Sequence, residues 1–317
     1  MSDAVSTGTT PSSTRDDLVV RPLRHPGRIV AAALVVAVGS FALFSIATNP
    51  NVGWSTVGEY LFARITLQGV VVTVLLTALA MLIGVLGGIV MAIMRLSENR
   101  VLSTVARLFI WFFRGTPVLV QIIFWGYLGA LYPMLALRVP FTDITLWGGR
   151  TSDLITPFLA ALLALGLNEV AYAAEIVRGG FSAVDRGQTE AAYSLGLSPS
   201  ATTRRIVLPQ AMRVIIPPMG NEVITMLKTT ALVSVIAGSD LMTVLQRIYS
   251  QNYQVIPLLV VATIWYLALT TLLSIPQAWL ERRYGRADRR DSSAVSRLLL
   301  PRRSRRPAAP ALGAAHE

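Results

Sequence analysis

The sequence predicts an all-α membrane protein with about six transmembrane helices. Its 317 residues are 53% hydrophobic and only 14% charged, and the mean hydropathy is +0.58. Several apolar runs exceed the roughly 18 residues that indicate a spanning helix, and they lack the alternation typical of a strand. We therefore expect spans near residues 29–48, 66–94, 115–136, 154–177, 214–236 and 255–279.

The distribution of arginine predicts how these spans are oriented. Arginine is concentrated in four segments: residues 1–28, 95–114, 178–213 and 282 onward. The positive-inside rule places these segments in the cytoplasm, together with both chain termini. The outward-facing loops hold only Arg64, Arg138, Arg150 and Arg247. The net charge of +11 then reflects topology and attraction to anionic membrane lipid, not nucleic-acid binding, because the basic residues are divided among loops.

The two ends of the chain differ in composition from the apolar middle. Residues 1–28 are rich in Ser, Thr, Asp and Arg, which predicts a disordered cytoplasmic tail. Residues 281–317 hold ten arginines and show no apolar period, which predicts a basic cytoplasmic tail. Cysteine is absent, and the two histidines, His25 and His316, lie in these tails. We therefore expect neither a metal site nor a cofactor.

The segment between the fourth and fifth spans carries a series of helix signals. Glu190 begins a helical stretch, and Gly196 lies where a short helix would end in a left-handed turn. Ser198 and Pro199 are typical of an N-cap and the first residue of a second helix. Pro209 predicts that this second helix cannot run on unbroken. The segment is too polar for lipid, so we expect a helix-turn-helix loop that protrudes into water as a docking surface.

This loop resembles the EAA-x3-G-x9-I-x-L-P signature of ATP-binding-cassette (ABC) importer permeases at every position. The matching residues are Glu190, Ala191, Ala192, Gly196, Ile206, Leu208 and Pro209. Four other stretches resemble the polar amino-acid permease family: Phe113–Gln121, Leu167–Gly180, Pro217–Glu222 and Leu227–Ile236. The resemblance covers about residues 60–280 and implies a type I ABC-importer transmembrane domain. It also implies that residues 188–209 are the ATPase-coupling loop, and it leaves the helix at 29–48 as an addition.

The resemblance implies partners and a location as well. In this family two permease subunits, identical or similar, pair in a bacterial inner or plasma membrane. Two cytoplasmic ATPases power them, and an extracytoplasmic solute-binding protein delivers the amino acid. The sequence agrees in one respect, because it lacks a G-x4-G-K-[ST] phosphate loop. We therefore expect a transport subunit, not an enzyme, that passes a polar amino acid inward by alternating access.

Polar residues inside the predicted spans mark a candidate substrate path. Two sets at i, i+4 and i+7 each share one helix face: Asn168, Tyr172 and Glu175 in one span, and Asn221, Thr225 and Lys228 in the next. Because polar side chains are costly in lipid, both faces should line the interior of the bundle. Glu169 and Glu222 complete the set of candidates.

These residues also have structural interpretations, which the sequence leaves open. Glu175 could form a local ion pair with Arg178. Glu169 could pair with Lys228 across the bundle instead of binding a substrate ammonium group. The Pro217–Pro218 pair could break its helix and free carbonyl groups for a substrate, or it could only bend the helix.

The stretch before the third span is interpreted structurally. Thr116 and Pro117 predict an N-cap and the first residue of a helix, with Arg114 at the cytoplasmic interface.

Two other functional classes remain open at this point. An ion-driven secondary transporter would use Glu169, Glu175 and Glu222 as proton or cation sites. Two observations argue against this class: the sequence shows no internal repeat, and it contains the predicted docking loop. The remaining class is a scaffold or channel component without its own transport cycle.

Overall fold

In a computed structural model, the apolar runs of the sequence form long helices. The structure describes residues 26–138 and 145–284. The first helix, α1 (Pro26–Thr48), and a 3-10 turn at Pro50–Val52 lie in a unit of their own. The bounds of α1 agree closely with the predicted span at 29–48. Most of the two predicted tails, and both histidines, lie outside the described residues.

The second unit begins at Gly53. Its elements are α2 (Trp54–Leu61), α3 (Arg64–Leu96), α4 (Arg100–Gly115), α5 (Val118–Gly126), α6 (Leu128–Leu131), β1 (Met134–Arg138), β2 (Thr145–Arg150), α7 (Thr151–Leu154), α8 (Pro157–Ser182), α9 (Arg186–Ser194), α10 (Pro199–Thr202), α11 (Leu208–Thr229), α12 (Leu241–Asn252) and α13 (Val255–Tyr284). A π-helical turn at Thr203–Val207 joins α10 to α11, and a 3-10 stretch at Thr230–Ile236 follows α11.

The core of this unit forms where α3 packs against α8. Small residues allow the two backbones to approach closely: a Cβ atom added at Gly88 would lie 2.5 Å from the Cβ of Ala173. Fully buried Leu76, Leu165 and Ile122 fill the adjoining space and tie α5 to this pair. Because lipid is as apolar as leucine, close packing of this kind holds membrane helices together.

The described helices can account for the predicted number of spans. Four of them are long and apolar enough to cross a membrane: Val30–Thr48 of α1, α3, α8 and α13. Two bent pairs add up to two more, α4 with α5 and the segment Pro199–Ile236 with α12. The count reaches six only if each bent pair is one span.

The predicted span at 115–136 has the wrong bounds. The helical chain begins at Arg100, in a stretch that we assigned to a loop, and it breaks between Gly115 and Val118. The chain beyond Leu131 turns into the antiparallel hairpin β1–β2, in which Met134 pairs with Arg150. Proline disfavours the helical conformation of the residue before it. Pro117 therefore helps to end α4, and Pro133 helps to end α6.

The Pro217–Pro218 pair does not break its helix. α11 continues through both prolines to Thr229. Gln277 of α13 donates a hydrogen bond from Nε2 to the carbonyl oxygen of Pro217 at 2.8 Å and so attaches α13 to this point. The chain bends later, after the 3-10 stretch, where Ala237 has a left-handed backbone with φ of 54°.

Candidate functional site: a polar pocket and an exposed loop

Gln121 closes a sharp corner between α4 and α5, which meet at 96°. Its Nε2 lies within hydrogen-bonding distance of Phe113 O (3.0 Å), Thr116 O (3.1 Å) and Thr116 Oγ1 (2.8 Å). Carbonyl groups at a helix end have no helical partner, so this side chain satisfies them. The predicted N-cap at Thr116 is wrong, because Thr116 ends α4 and Pro117 precedes the first residue of α5.

A pocket of about 500 Å³ lies between this corner, α8 and α11. Five of the predicted path residues line it: Asn168, Glu169, Tyr172, Glu222 and Thr225. Arg114 lines it as well, although the sequence predicts this residue at the cytoplasmic interface. Asn168 and Glu222 lie well inside α8 and α11, so the pocket is near the middle of the bundle.

Glu169 is the most deeply placed carboxyl group of the pocket, with 3% of its surface exposed. Its Oε1 has no hydrogen-bond partner among the described residues. The side chain lies directly over Gly84 of α3, where an added Cβ would collide with the Cγ of Glu169. Glycine at this position therefore makes room for a buried acid. A buried carboxyl group without a partner is costly, which suits a group that meets a ligand.

Asn168 and Tyr172 connect α8 to the corner. Asn168 donates from Nδ2 to the carbonyl oxygen of Phe113 at 3.0 Å. The guanidinium carbon of Arg114 lies 5.1 Å from the centre of the Tyr172 ring, within the range of a cation–π interaction. These contacts hold Arg114 beside the carboxyl groups of the pocket.

Glu175 does not line the pocket. It forms the ion pair with Arg178 that the sequence offered as its structural role, at 2.8 Å between Oε2 and Nη2. This is the one salt bridge among the side chains that the structure describes. Consequently Glu169 and Lys228 form no ion pair there.

The predicted polar face of α11 is displaced by about one residue. Glu222, Thr225, Met226 and Thr229 line the pocket, whereas Asn221 and Lys228 are exposed outside it. Both faces have helical spacing, so spacing alone could not choose between them. Thr225 belongs to both sets because neighbouring faces of a helix overlap.

The loop after α8 has the local structure that its sequence predicts. The backbone of Gly196 is left-handed, with φ of 80°. Its N–H donates to Tyr193 O at 2.9 Å, and the N–H of Leu197 donates to Ala192 O at 3.1 Å. These two bonds define a Schellman turn, which satisfies the last carbonyl groups of α9. Ser198 then caps α10 and Pro199 opens it, as expected.

Two details of this loop differ from the prediction. α9 begins at Arg186 with Asp185 as its N-cap, so Glu190 lies inside the helix instead of at its start. Pro209 does not stop the second helix, because it is the second residue of α11, which follows the π-helical turn directly. Proline is tolerated in the first turn of a helix, where its missing N–H costs least. Gln210 contributes by donating from Nε2 to Ile206 O at 3.0 Å.

The signature residues of the loop differ in exposure. Glu190, Ala191, Gly196, Leu208 and Pro209 are exposed, Ile206 is half-buried, and Ala192 is buried. Leu195 is 83% exposed and Tyr193 is 49% exposed. Exposed apolar side chains beside a polar rim are typical of a protein contact. The signature did not single out these two residues.

Comparison with known proteins identifies the family. Residues 84–286 match the family described as the binding-protein-dependent transport system inner membrane component. The arginine transport system permease protein ArgU of Corynebacterium glutamicum is 46% identical over 275 residues, which are 86% of this chain and 85% of that protein. The nopaline transport system permease protein NocM of Agrobacterium fabrum is 36% identical over 208 residues, 66% of this chain and 83% of that protein.

A solved structure, described as the crystal structure of an amino acid ABC transporter with histidines, has the same fold. It superposes with a TM-score of 0.58 and 36% identity, covering 70% of this chain and 95% of that one. The chain belongs to the binding-protein-dependent transport family and is the multi-pass membrane permease of an ABC importer. ATP hydrolysis in this family belongs to a separate ATPase subunit. The ion-driven and scaffold alternatives are therefore set aside.

Proposed function

We infer that this permease imports a cationic amino acid, and that the substrate passes through the pocket between the corner, α8 and α11. The observation that carries this inference is the charge content of the pocket. Glu169 and Glu222 supply two carboxyl groups, and Arg114 supplies one guanidinium group. The relative named for arginine transport, at 46% identity, supports the same substrate class.

The chemistry of an amino acid fits these three groups. The substrate carboxylate would bind Arg114, and the α-ammonium group would bind one of the two glutamates. The second glutamate is then available for a cationic side chain such as a guanidinium. Charge-assisted hydrogen bonds of this kind contribute roughly 1.5–3 kcal/mol each, enough to change affinity about tenfold or more. Asn168, Tyr172 and Thr225 add neutral hydrogen-bonding groups to the walls.

A second permease subunit is part of the proposal. Asn221 and Lys228 are exposed on α11, and an amide or ammonium group that faces lipid is unfavourable. This face of α11 should therefore contact a second permease subunit or water in the passage between the two subunits. Co-purification would show whether the second subunit is a copy of this chain.

The exposed loop is proposed as the contact with a pair of ATPases. Glu190, Tyr193 and Leu195 are exposed on α9 or just after it. The arginine distribution supports a cytoplasmic position for this loop and both termini, where ATPases would be. An extracytoplasmic binding protein would deliver the amino acid to the opposite side.

Uptake of radiolabelled arginine into proteoliposomes tests the pocket. The assay uses the purified complex of permease, ATPase and binding protein. We expect Glu169→Gln to raise the apparent KM about tenfold, because one charge-assisted bond is lost. Basal ATPase activity should stay the same, because the ATPase contact is unaltered. Glu59→Gln is the matched control, since Glu59 is an exposed acid on α2 outside the pocket.

Glu222→Gln and Arg114→Gln keep the test decisive if Glu169→Gln fails to assemble. Either variant should weaken uptake of arginine while the complex remains intact. Unchanged kinetics in every pocket variant that assembles would refute the proposed path.

A further inference from the structure

A second groove lies between α3 and α12, away from the proposed substrate pocket. It has a volume of about 660 Å³. Two arginines line it together with apolar side chains: Arg64, Arg247, Val71, Val72 and Val244. The proposed orientation puts this groove on the extracytoplasmic side, where arginine is scarce.

The contact between α3 and α12 shows how the groove runs. The N–H of Leu241 donates to Thr73 Oγ1 at 3.0 Å, and a Cβ added at Gly69 would lie 2.9 Å from Leu241 Cα and 3.4 Å from Val244 Cγ2. Later residues of α12 therefore lie beside earlier residues of α3, so the two helices run antiparallel. Arg64 and Arg247 both lie outward of this contact, and Val72 lies beside it.

The depth of these residues corresponds to the depth profile of a phospholipid. α3 has 33 residues, so it is about 50 Å long at 1.5 Å per residue. A bilayer with its headgroups is about 40–45 Å thick. Arg64, the first residue of α3, thus lies at the level of the outer headgroups. Val71 and Val72 lie about 10–12 Å deeper, at the level of the acyl chains.

The charges in the groove lack an acidic partner. Neither Arg64 nor Arg247 is within 4.0 Å of a carboxylate in the part of the chain that the structure describes. Arg247 donates to a backbone carbonyl, that of Gly238, at 3.1 Å. Guanidinium groups bind phosphate in a two-pronged geometry, so an anionic phosphate complements this end of the groove.

The apolar end of the groove leads to a lipid-facing surface. Val71 is 64% exposed, and exposed Leu75, Leu82 and Leu86 continue the same side of α3 towards the other leaflet. A soluble acidic protein would gain nothing from such a surface, whereas an acyl chain would pack along it. This continuity favours lipid over a carboxylate of the binding protein.

We propose that the groove between α3 and α12 binds one anionic phospholipid of the outer leaflet. Its phosphate lies against Arg64 and Arg247, and one acyl chain follows Val71, Val72 and Val244. The lipid would then hold α12 against α3 at the outer end of the bundle. It also accounts for two of the few arginines that the positive-inside rule does not explain.

Native mass spectrometry of the purified complex, titrated with dioleoylphosphatidylglycerol, tests this proposal. The double variant Arg64→Gln/Arg247→Gln should bind one lipid fewer per permease, or bind that lipid roughly tenfold more weakly. Val71→Trp should have a similar effect, because its side chain fills the acyl end while both arginines remain. Arg150→Gln is the control, since Arg150 is exposed and lies outside the groove.

Each outcome decides between lipid and protein. Loss of lipid in both groove variants, and not in the control, supports the proposal. Equal lipid binding by the wild type and the double variant would overturn it. If the double variant keeps its lipid but binds the purified binding protein more weakly, the arginines contact protein and the proposal is wrong. Val71→Trp retains both charges, so it separates these cases even if the double variant is poorly folded.

Discussion

Two proline-containing regions of the bundle have opposite outcomes. At Pro117 the chain turns through 96°, whereas the segment Pro199–Thr229 stays helical through Pro209, Pro217 and Pro218. Proline removes the same N–H group in every case. What differs is the local structure. Gln121 satisfies the open helix end at the corner, while Pro209 is in the first turn of α11, directly after the π-helical turn.

The difference matters because both regions border the pocket. The corner contributes Arg114 to a wall that is fixed by side-chain hydrogen bonds. The continuous helical segment contributes Glu222, and it starts at Pro199 beside the Schellman turn of the exposed loop. From Pro199 to Glu222 is about 35 Å of helix. If the loop couples to ATPases as proposed, this helical segment would connect it to the wall that holds Glu222.

The largest expected contrast concerns the side of the membrane on which the exposed loop lies, compared with α2 and the β1–β2 hairpin. The chain has no cysteine, so single cysteines report cleanly. Cysteine at Ser55 or Thr145 should react with an impermeant maleimide added to intact cells, and cysteine at Ser198 should react only after the cells are opened. All three positions are exposed in the structure. Labelling of the Ser198 site from outside would contradict both the predicted topology and the proposed ATPase contact.

The next effect is at the Schellman turn. Gly196→Val forces a β-branched residue into a left-handed backbone, which is strongly disfavoured. We expect ATP-dependent uptake to fall more than tenfold while the permease inserts at its normal level, as measured by immunoblot of membranes. Gly179→Val is the control, because an added Cβ there meets nothing within 4 Å and its φ is not positive. Normal uptake by Gly196→Val would refute coupling through this turn.

The corner should give an intermediate effect. Gln121→Leu keeps the size of the side chain and removes its hydrogen bonds, at a cost of roughly 1–3 kcal/mol. We expect the midpoint of thermal aggregation to fall by about 5 °C and the apparent KM for the substrate to rise, because Arg114 is no longer held in place. Gln251→Leu, at an exposed position of α12, should change neither. An unshifted KM would mean that the corner does not position Arg114.

The smallest effect is expected at the π-helical turn. Gln210→Ala removes a single bond to Ile206 O and should cost about 0.5–1.5 kcal/mol. Uptake should fall no more than about twofold, because the backbone of the turn supplies the remaining bonds. A loss as large as that of Gly196→Val would show that Gln210 itself keeps the segment continuous.

The sequence predicted the parts of the molecule that local rules determine. The apolar runs predicted α1, α3, α8 and α13, and the positions of Gly196 and Ser198 predicted the Schellman turn and the cap after it. On the α8 side, helical spacing correctly predicted that Asn168 and Tyr172 line the pocket, but it also included Glu175, which lies outside it. The role of the loop in coupling stays a prediction.

The missed features depend on contacts between distant residues. Arg114 reaches the pocket because Gln121 and Asn168 both donate to the carbonyl oxygen of Phe113, and no local pattern indicates that three-residue contact. The polar face of α11 was displaced because two overlapping faces have the same helical spacing. Only the packing of α11 against α8 decides that Glu222, and not Asn221, lines the pocket.

The left-handed backbone of Ala237 has a consequence for engineering. An L-residue with a Cβ is held there at a cost of roughly 1–2 kcal/mol, which glycine avoids. The next residue is Gly238, but the left-handed conformation falls on Ala237. The bend before α12 therefore lacks glycine at the position where glycine is most favoured. Ala237→Gly should therefore stabilise the folded protein by up to about that amount, at a position outside the pocket and the exposed loop.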